Sequence, residues 1–288
     1  MSPRDLGRAL LVAVIWGLAF VATRIGLDDL TPPQLAAARF LIAALPVAVL
    51  PRPRVAWPAL IAVGLTLFAG QFILQFFGIA GGMPPGLASV VVQTQALFTI
   101  LFAAPLLHER PTALQTCGLI LGLAGLAAIA LTVGADLTLV GFVLTLGSAI
   151  SWAVGNLLLK RLPPVPTLDL MVWLSLVPPA PALLLALALD GPGSIAQAVT
   201  GVTWRGLAAI VYLGAVATVL AYAIWGDLLR RYPAVAVTPF ALLVPFVAAA
   251  GSALVFGERF GPLRLGGMAL VLLGLAVIVL PWPRQAAA

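Results

Sequence analysis

Residues 113–133 read ALQTCGLILGLAGLAAIALTV, an apolar run of 21 residues without a charge. A helix needs about 20 mostly apolar residues to cross the hydrocarbon core of a bilayer. Nine more runs of this kind stand between charged residues, prolines and glycines. The sequence therefore predicts an all-α integral membrane protein with ten transmembrane helices. The ten predicted spans lie near residues 7–27, 34–50, 57–79, 84–106, 113–133, 139–160, 168–188, 204–228, 234–256 and 263–282.

The composition excludes an ordinary soluble protein. Of the 288 residues, 62% are hydrophobic and 8% are charged, whereas a soluble domain has about 25% charged residues. The net charge of +6 does not predict a nucleic-acid partner, because the Lys and Arg residues are scattered at the ends of apolar runs and form no basic patch with aromatics. Cys117 is the only cysteine, which excludes an intramolecular disulfide and a Cys-based metal site. We expect no metal and no cofactor.

The N-terminal segment resembles a cleaved signal peptide, since Arg4 and Arg8 precede an apolar run that starts at Ala9. The run continues to Leu27, however, which is long enough to cross a bilayer, and nine further hydrophobic segments follow. We therefore expect the segment to be retained as the first transmembrane helix.

The positive-inside rule predicts the orientation, because cytoplasmic loops carry an excess of Lys and Arg. With the N-terminus inside, ten of the 15 Lys and Arg residues fall on the inner side and five on the other. This predicts a bacterial inner membrane protein with both termini in the cytoplasm. The inner set is Arg4, Arg8, Arg52, Arg54, Arg110, Lys160, Arg161, Arg230, Arg231 and Arg284, and the outer set is Arg24, Arg39, Arg205, Arg259 and Arg264.

The two halves of the chain share a pattern at a spacing of 149 positions. His108-Glu109-Arg110 followed by Gly118 and Gly125 corresponds to Gly257-Glu258-Arg259 followed by Gly267 and Gly274. An odd number of spans per repeat forces the two copies to insert upside down relative to each other. We therefore predict two inverted five-helix repeats, residues 1–135 and 136–288. The alternative is chance similarity among helices rich in Ala, Gly and Leu.

The same residues resemble a known family. Residues 83–89 (MPPGLAS), residues 96–99 (ALFT), residues 107–110 (LHER) and the glycines after them are similar to the EamA repeat of the drug/metabolite transporter superfamily. The whole chain is most similar to the bacterial ten-helix exporters of aromatic amino acids. One departure concerns the mid-span proline, which is present as Pro245 but is replaced by Ala96 in the first half. A helix break is therefore expected in the ninth span more than in the fourth.

The resemblance implies ten helices around a central cavity, with spans one to four and six to nine as its wall. Spans five and ten would then stand outside as braces. The residues agree with this, because both spans have glycines at spacings that suit close helix packing and very few hydrogen-bonding side chains.

Polar and aromatic side chains inside the spans predict where the solute binds. Polar groups in a span are costly unless they face the bundle interior or a wet cavity. Serines and threonines often satisfy themselves on their own helix backbone, and Trp or Tyr near a span end is often an interfacial anchor. The four glutamines in two adjacent spans cannot satisfy their side-chain amides on their own backbone so easily. They therefore favour a position in the wall of a cavity. The predicted solute-binding residues are Trp16, Phe20, Gln71, Gln75, Ser89, Gln93, Trp152, Asn156, Tyr212, Tyr222 and Pro245.

Charged residues bear on energy coupling. A proton-coupled exporter needs a titratable carboxylate deep in a span, and every Asp and Glu falls in a loop or near a span end. We therefore predict transport without proton coupling. Arg24 and Arg39 are the deepest cations, and we expect them to extend to the interface with Asp28 or Asp29 as partner. The alternative is that they guide a solute carboxylate near the outer gate.

The sequence predicts a secondary carrier that exports small organic solutes by alternating access. The resemblance makes aromatic and other neutral amino acids the expected substrates. Alternatives are an exporter of other amphipathic metabolites or drugs, and a lipid flippase. An enzyme is not expected, because no nucleophile with a base and no paired carboxylates are present. We expect a monomer whose partners are the solute and membrane lipid.

Overall fold

The computed structural model describes residues 1–107, 111–134 and 136–280, and all regular secondary structure in this part of the chain is helical. A short helix, Ser194–Gly201, lies between the seventh and eighth long helices. The residues His108, Glu109, Arg110 and Arg284, used above for the repeat and the orientation, lie outside the described residues. The long helices, numbered α1 to α10 in chain order, are Pro3–Gly26, Pro32–Ala48, Trp57–Ala80, Pro85–Leu106, Ala113–Ala130, Leu139–Leu159, Thr167–Asp190, Trp204–Arg231, Ala234–Phe256 and Pro262–Val279.

Nine of these helices, within the described residues, are long and apolar enough to cross a membrane. The exception is α2, which is shorter and ends in a 3-10 turn, Leu45–Ala48. Large apolar side chains stand on the outer surface of the bundle; Leu254 is 87% exposed and Val49 is 82% exposed. Exposed apolar side chains in this number suit lipid rather than water. The chain is therefore a multi-pass membrane protein.

Polar caps fix where several helices begin. The Ser2 Oγ accepts a hydrogen bond from the Asp5 backbone N–H at 3.2 Å at the start of α1. The Thr138 Oγ1 accepts one from the Gly141 N–H at 2.9 Å at the start of α6. Such side chains satisfy backbone donors that the first helical turn leaves free. Short loops can therefore end one helix and start the next.

Contacts at the ends of α1 and α8 show that these ends meet at two opposite faces of the helix bundle. Asp29, just after α1, accepts hydrogen bonds from the Thr203 backbone N–H at 2.8 Å and from its hydroxyl at 2.6 Å, just before α8. The Thr203 hydroxyl is the main cause that lowers the pKa of Asp29 below its usual value. At the opposite face, Arg8 near the start of α1 pairs with Asp227 near the end of α8 at 2.8 Å. The helices α1 and α8 therefore run antiparallel.

Two helices contain π-helical segments at corresponding places in the two halves. In α3 the segment is Gly64–Gly70, and in α8 it is Tyr212–Leu220. A π-helix has i→i+5 hydrogen bonds and is found mostly as a short element at functional sites. Each segment is followed directly by residues that face the interior of the bundle, Gln71 in α3 and Tyr222 in α8.

The fourth and ninth helices are also interrupted. A 3-10 segment, Thr238–Leu243, divides α9, which agrees with the expected break in the ninth span. The helix α4 is interrupted too, at Thr94, although Ala96 stands where α9 has Pro245. The Thr94 hydroxyl donates to the Val91 carbonyl at 2.5 Å. A local turn with a side-chain hydrogen bond therefore breaks α4 without a proline.

The helices α5 and α10 pack against each other through the glycines for which the sequence predicts close helix packing. A Cβ atom added to Gly118 would lie 2.6 Å from the Gly274 carbonyl oxygen, and one added to Gly267 would lie 2.8 Å from that of Gly125. Real Cβ atoms do not approach so closely, so only glycine permits this helix separation. Arg264 joins the same pair at one end, where its Nη2 donates to the Asp136 carboxylate at 3.0 Å.

Candidate functional site

A cavity of about 380 Å³ lies inside the bundle, within the size range of small-molecule sites. Residues of α1, α2, α3, α4, α6, α8 and α9 line it, so both halves of the chain form the wall. Nine of the eleven predicted binding residues lie on this wall. They are Trp16, Phe20, Gln71, Gln75, Ser89, Gln93, Trp152, Asn156 and Tyr222.

The structure does not bring the other two predicted residues, Tyr212 and Pro245, to the cavity wall. The Tyr212 hydroxyl donates to the Ile15 carbonyl at 2.9 Å, which joins α8 to α1. The prediction for Tyr212 assumed a regular α-helical stripe, and the π-helical segment that begins there changes the register. Pro245 is buried near the start of the last segment of α9, where its neighbour Val244 reaches the cavity instead.

Amide side chains form the polar part of the wall. The Gln71 Nε2 donates to the Gln75 Oε1 at 2.6 Å, and the Asn156 Nδ2 donates to the Gln95 Oε1 at 2.8 Å. The Gln93 Nε2 donates to the Ala241 carbonyl at 2.9 Å and so joins α4 to the 3-10 segment of α9. The Gln71 Oε1 is buried and has no hydrogen-bond partner among the described residues. Buried acceptors are rarely left without a donor, which singles this oxygen out among the amides of the wall.

Hydroxyl side chains mostly bond to their own helix, as the alternative interpretation proposed. The Ser89 hydroxyl donates to the Gly86 carbonyl at 2.6 Å. Thr145 and Ser148, on the polar stripe of α6, donate to carbonyls three or four residues earlier in the same helix. Ser89 lines the cavity, whereas Thr145 and Ser148 do not. Their hydroxyls already have acceptors, so the amides are the stronger candidates for solute contact.

Aromatic rings line the apolar part of the wall. The ring of Trp16 lies 5.1 Å from that of Trp225 and 5.4 Å from that of Tyr222, between ring centroids. The Trp16 Nε1 donates to the Ala217 carbonyl at 3.0 Å in the π-helical segment of α8, which fixes the ring. Trp225 was not among the predicted binding residues, although it follows Tyr222 by three residues and so lies on the same face of the helix. The rings offer flat apolar faces to a solute.

Arg39 also lines the cavity, contrary to the expectation that it extends to the interface. Only 4% of its surface is exposed. Its guanidinium lies over the Phe72 ring, 3.9 Å from the centroid, and both Nε and Nη2 donate to the Thr218 hydroxyl at 3.3 and 3.2 Å. Arg24 instead pairs with Asp28 at the surface, as predicted. Apolar neighbours remote in sequence hold Arg39 inward, which a pattern along one helix does not reveal.

No Asp or Glu of the described residues lines the cavity. Glu258, just after α9, accepts hydrogen bonds at the start of α4, from the Gly86 N–H at 2.9 Å and the Leu87 N–H at 3.2 Å. Burial raises the pKa of this carboxyl. Within the described part of the chain, no group of three or more His, Cys, Asp or Glu residues is placed to hold a metal ion.

Sequence comparison identifies relatives over the full length of the chain. The model of the EamA-like transporter family matches residues 7–131 and again residues 139–280. A probable amino-acid metabolite efflux pump of Salmonella typhimurium is 40% identical, over 97% of this chain and 96% of that protein. One with the same description from Escherichia coli is 38% identical over the same shares.

More distant proteins complete the comparison. A probable terminal-alkyne amino-acid exporter of Streptantibioticus cattleyicolor is 29% identical over 93% of this chain and 91% of that protein. A solved crystal structure of a protein aligns over 100% of both chains with a TM-score of 0.62 and 21% identity. This structural likeness supports the fold alone.

Proposed function

We propose a specific role for this chain, which belongs to the EamA-like transporter family: it exports neutral amino acids, aromatic ones among them, and related amino-acid metabolites from the cell. The observation that carries the proposal is the internal cavity, which combines amide side chains with aromatic faces and to which no carboxylate of the described residues contributes. The relatives described as exporters of amino acids or their metabolites support the same class of solute.

The proposed architecture is ten membrane crossings in two inverted repeats, residues 1–135 and 136–288, with both termini in the cytoplasm and the monomer as the working unit. The two family matches, over residues 7–131 and 139–280, support a division of this kind. The shorter α2 crosses the membrane with the help of its 3-10 ending and the apolar Val49 and Leu50 that follow it. Helices from both halves then enclose the cavity, as is usual for carriers built from inverted repeats.

The proposed mechanism is alternating access, in which the two halves rock about a site near the middle of the bilayer. The paired irregular segments support it, because π-helical and 3-10 turns give helices places to bend. They stand in α3 and α8, and in α4 and α9, beside the cavity. The Gln93 hydrogen bond to Ala241 joins α4 to α9 at these bends and must change when the cavity opens.

The proposed energetics need no proton antiport. A carrier that exchanges a solute for protons needs a group in its wall that takes up and releases a proton near neutral pH. The described cavity wall has neither a carboxylate nor a histidine. Export then follows the concentration gradient of the solute.

Purified protein in liposomes tests the function directly. Labelled phenylalanine, other labelled neutral amino acids and a labelled sugar are loaded, and their release is measured with and without an imposed proton gradient. We expect release of the amino acids at a rate that the gradient does not change, and no release of the sugar. Flux that requires the gradient would refute uncoupled transport. Absence of any amino-acid flux, or movement of labelled lipid instead, would refute the proposed function.

A further inference from the structure

Arg39 stands out in the cavity because it is a buried cation that lacks a carboxylate partner among the described residues. The other buried arginine, Arg264, pairs with Asp136 through two hydrogen bonds of 2.5 and 3.0 Å. A charge taken out of water is costly unless it is paired and hydrogen-bonded. The difference between the two arginines therefore needs an explanation.

The contacts that Arg39 makes within the protein satisfy it only in part. The Phe72 and Phe40 rings lie near the guanidinium, at 3.9 and 5.4 Å from their centroids, and supply cation–π attraction. Its two hydrogen bonds go to one neutral atom, the Thr218 Oγ1, which itself donates to the Leu213 carbonyl at 2.8 Å. Arginine has five N–H donors. No described residue accepts a hydrogen bond from Nη1, and Arg39 is one of the residues that line the cavity.

We propose that Arg39 is the counter-ion for the carboxylate of the transported solute, so that the carrier selects solutes with a carboxylate over the same solutes without one. The inference rests on the proposed function and names the chemical group that its site recognises. The planar guanidinium matches a carboxylate through two parallel hydrogen bonds. The stack on Phe72 and the Thr218 hydroxyl hold the guanidinium plane, which fixes the direction from which a carboxylate can approach.

The rest of the wall complements a carboxylate at Arg39. Gln71 lies next to Phe72 in sequence, and its buried Oε1 lacks a donor. A solute that carries both a carboxylate and an N–H donor can pair with Arg39 and, once the Gln71 amide turns toward the cavity, with its Oε1 as well. The ring faces of Trp16 and Trp152 then remain for the apolar part of the solute.

Competition by analogues of one probe tests the proposal in the unmodified protein. Liposomes transport labelled phenylalanine in the presence of excess 3-phenylpropionate, which lacks the ammonium group, or of phenethylamine, which lacks the carboxylate. We expect 3-phenylpropionate to inhibit at a concentration at least about tenfold lower than phenethylamine, since a hydrogen bond to a charged group changes affinity by about one to two orders of magnitude. Equal inhibition by the two, or inhibition by phenethylamine alone, overturns the proposal.

A matched pair of variants completes the test. Arg39→Gln should lower phenylalanine flux by at least about tenfold and remove the preference for 3-phenylpropionate. The control Arg24→Gln removes an exposed cation of α1 that is paired with Asp28, so it should change neither the flux nor the preference. Arg39→Lys keeps the charge but loses the two-bond geometry, so intermediate flux with the preference retained is expected. Flux of Arg39→Gln equal to that of Arg24→Gln overturns the proposal. Should Arg39→Gln fail to fold, the wild-type competition and Arg39→Lys decide.

The outcomes separate the inference from the proposed function. If the wild-type protein transports neither phenylalanine nor any other amino acid, the function itself fails. If it transports phenylalanine and the analogues compete equally, export stands and only the role of Arg39 fails. If neither analogue competes, the role of Arg39 stands when Arg39→Gln transports phenylalanine more slowly than Arg24→Gln, and it fails when the two fluxes are equal.

Discussion

The cavity wall and the α5–α10 pair are built on opposite principles. In the wall, α3, α4, α8 and α9 all contain irregular segments, and amide, aromatic and guanidinium side chains face inward. The helices α5 and α10 are continuous from Ala113 to Ala130 and from Pro262 to Val279, and they meet through glycines. Close backbone packing leaves such a pair little freedom, whereas π-helical and 3-10 turns allow bending. We therefore propose that the wall moves during transport and that the glycine pair resists motion.

The largest effect is expected from Gly267→Leu, which breaks the packed region of this comparison. A Cβ at this position would lie 2.8 Å from the Gly125 carbonyl oxygen, so a leucine must force the two helices apart. Overpacking of this kind costs about 1–3 kcal/mol or more. Thermal unfolding in detergent should show a large loss of stability or no folded protein. The neighbour Gly266 has no atom within 4 Å of an added Cβ, so Gly266→Leu is the matched control. Equal stability of the two variants would contradict the packing argument.

Gln71→Leu changes the cavity wall and should impair transport with less effect on the stability of the fold. The change removes the unpaired Oε1 and the donor to Gln75 but keeps the size of the side chain. We expect about tenfold slower phenylalanine flux in liposomes, since one lost hydrogen bond to a solute costs on the order of 1–2 kcal/mol. The folded protein should elute and melt like the wild type. Wild-type flux in this variant would remove Gln71 from the solute path.

Glu258→Ala sharpens the comparison at the point where α9 contacts the start of α4. Two backbone N–H groups, of Gly86 and Leu87, would lose their acceptor. Loss of a helix cap costs about 0.5–2 kcal/mol, so the unfolding temperature should fall by less than with Gly267→Leu. Glu258→Gln keeps one acceptor oxygen and should lie between this variant and the wild type. Equal losses of stability in Glu258→Gln and Glu258→Ala would show that the charge, and not the hydrogen bonds, stabilises this contact.

The smallest effect is expected from Cys117→Ala. Cys117 is exposed on α5 and is not among the residues of the described cavity wall. Both unfolding temperature and phenylalanine flux should match the wild type within error. A clear loss of flux would mean that the outer face of α5 takes part in transport, which would end the distinction between the two regions.

The sequence predicted most of the fold because both of its main signals are local. Apolar runs gave the nine described helices that are long enough to cross a membrane, and the shorter α2, to within a few residues. The glycines in 118–125 and 267–274 predicted close helix packing, and the structure shows that α5 and α10 pack on each other. Hydropathy alone did not locate the π-helical segments or the interruption at Thr94, because these depend on which carbonyl each N–H finds and not on apolar length.

The sequence predicted the cavity residues whose polar groups cannot be satisfied on their own helix. It was wrong for residues whose position depends on contacts with other helices or on irregular backbone. Gln71, Gln75 and Gln93 were found because an amide in a span needs a partner. Arg39 was expected at the interface, because Phe72 and Thr218, which hold it inward, come from α3 and α8. Tyr212 was assigned to the wall because a regular helix was assumed where the backbone is π-helical.

Thiol labelling gives the most direct test of the central claim, which is that the cavity contains water and binds the solute. Ala19 lines the cavity and its neighbour Leu18 is exposed on the outer, apolar side of the same helix, so the two positions lie at nearly the same depth. In a Cys117→Ala background, Ala19→Cys and Leu18→Cys are treated in liposomes with a small hydrophilic methanethiosulfonate reagent, with and without phenylalanine. We predict that Ala19→Cys reacts and that phenylalanine slows the reaction, whereas Leu18→Cys stays unlabelled in lipid. Faster labelling of Leu18→Cys, or labelling of Ala19→Cys that phenylalanine leaves unchanged, would contradict the account.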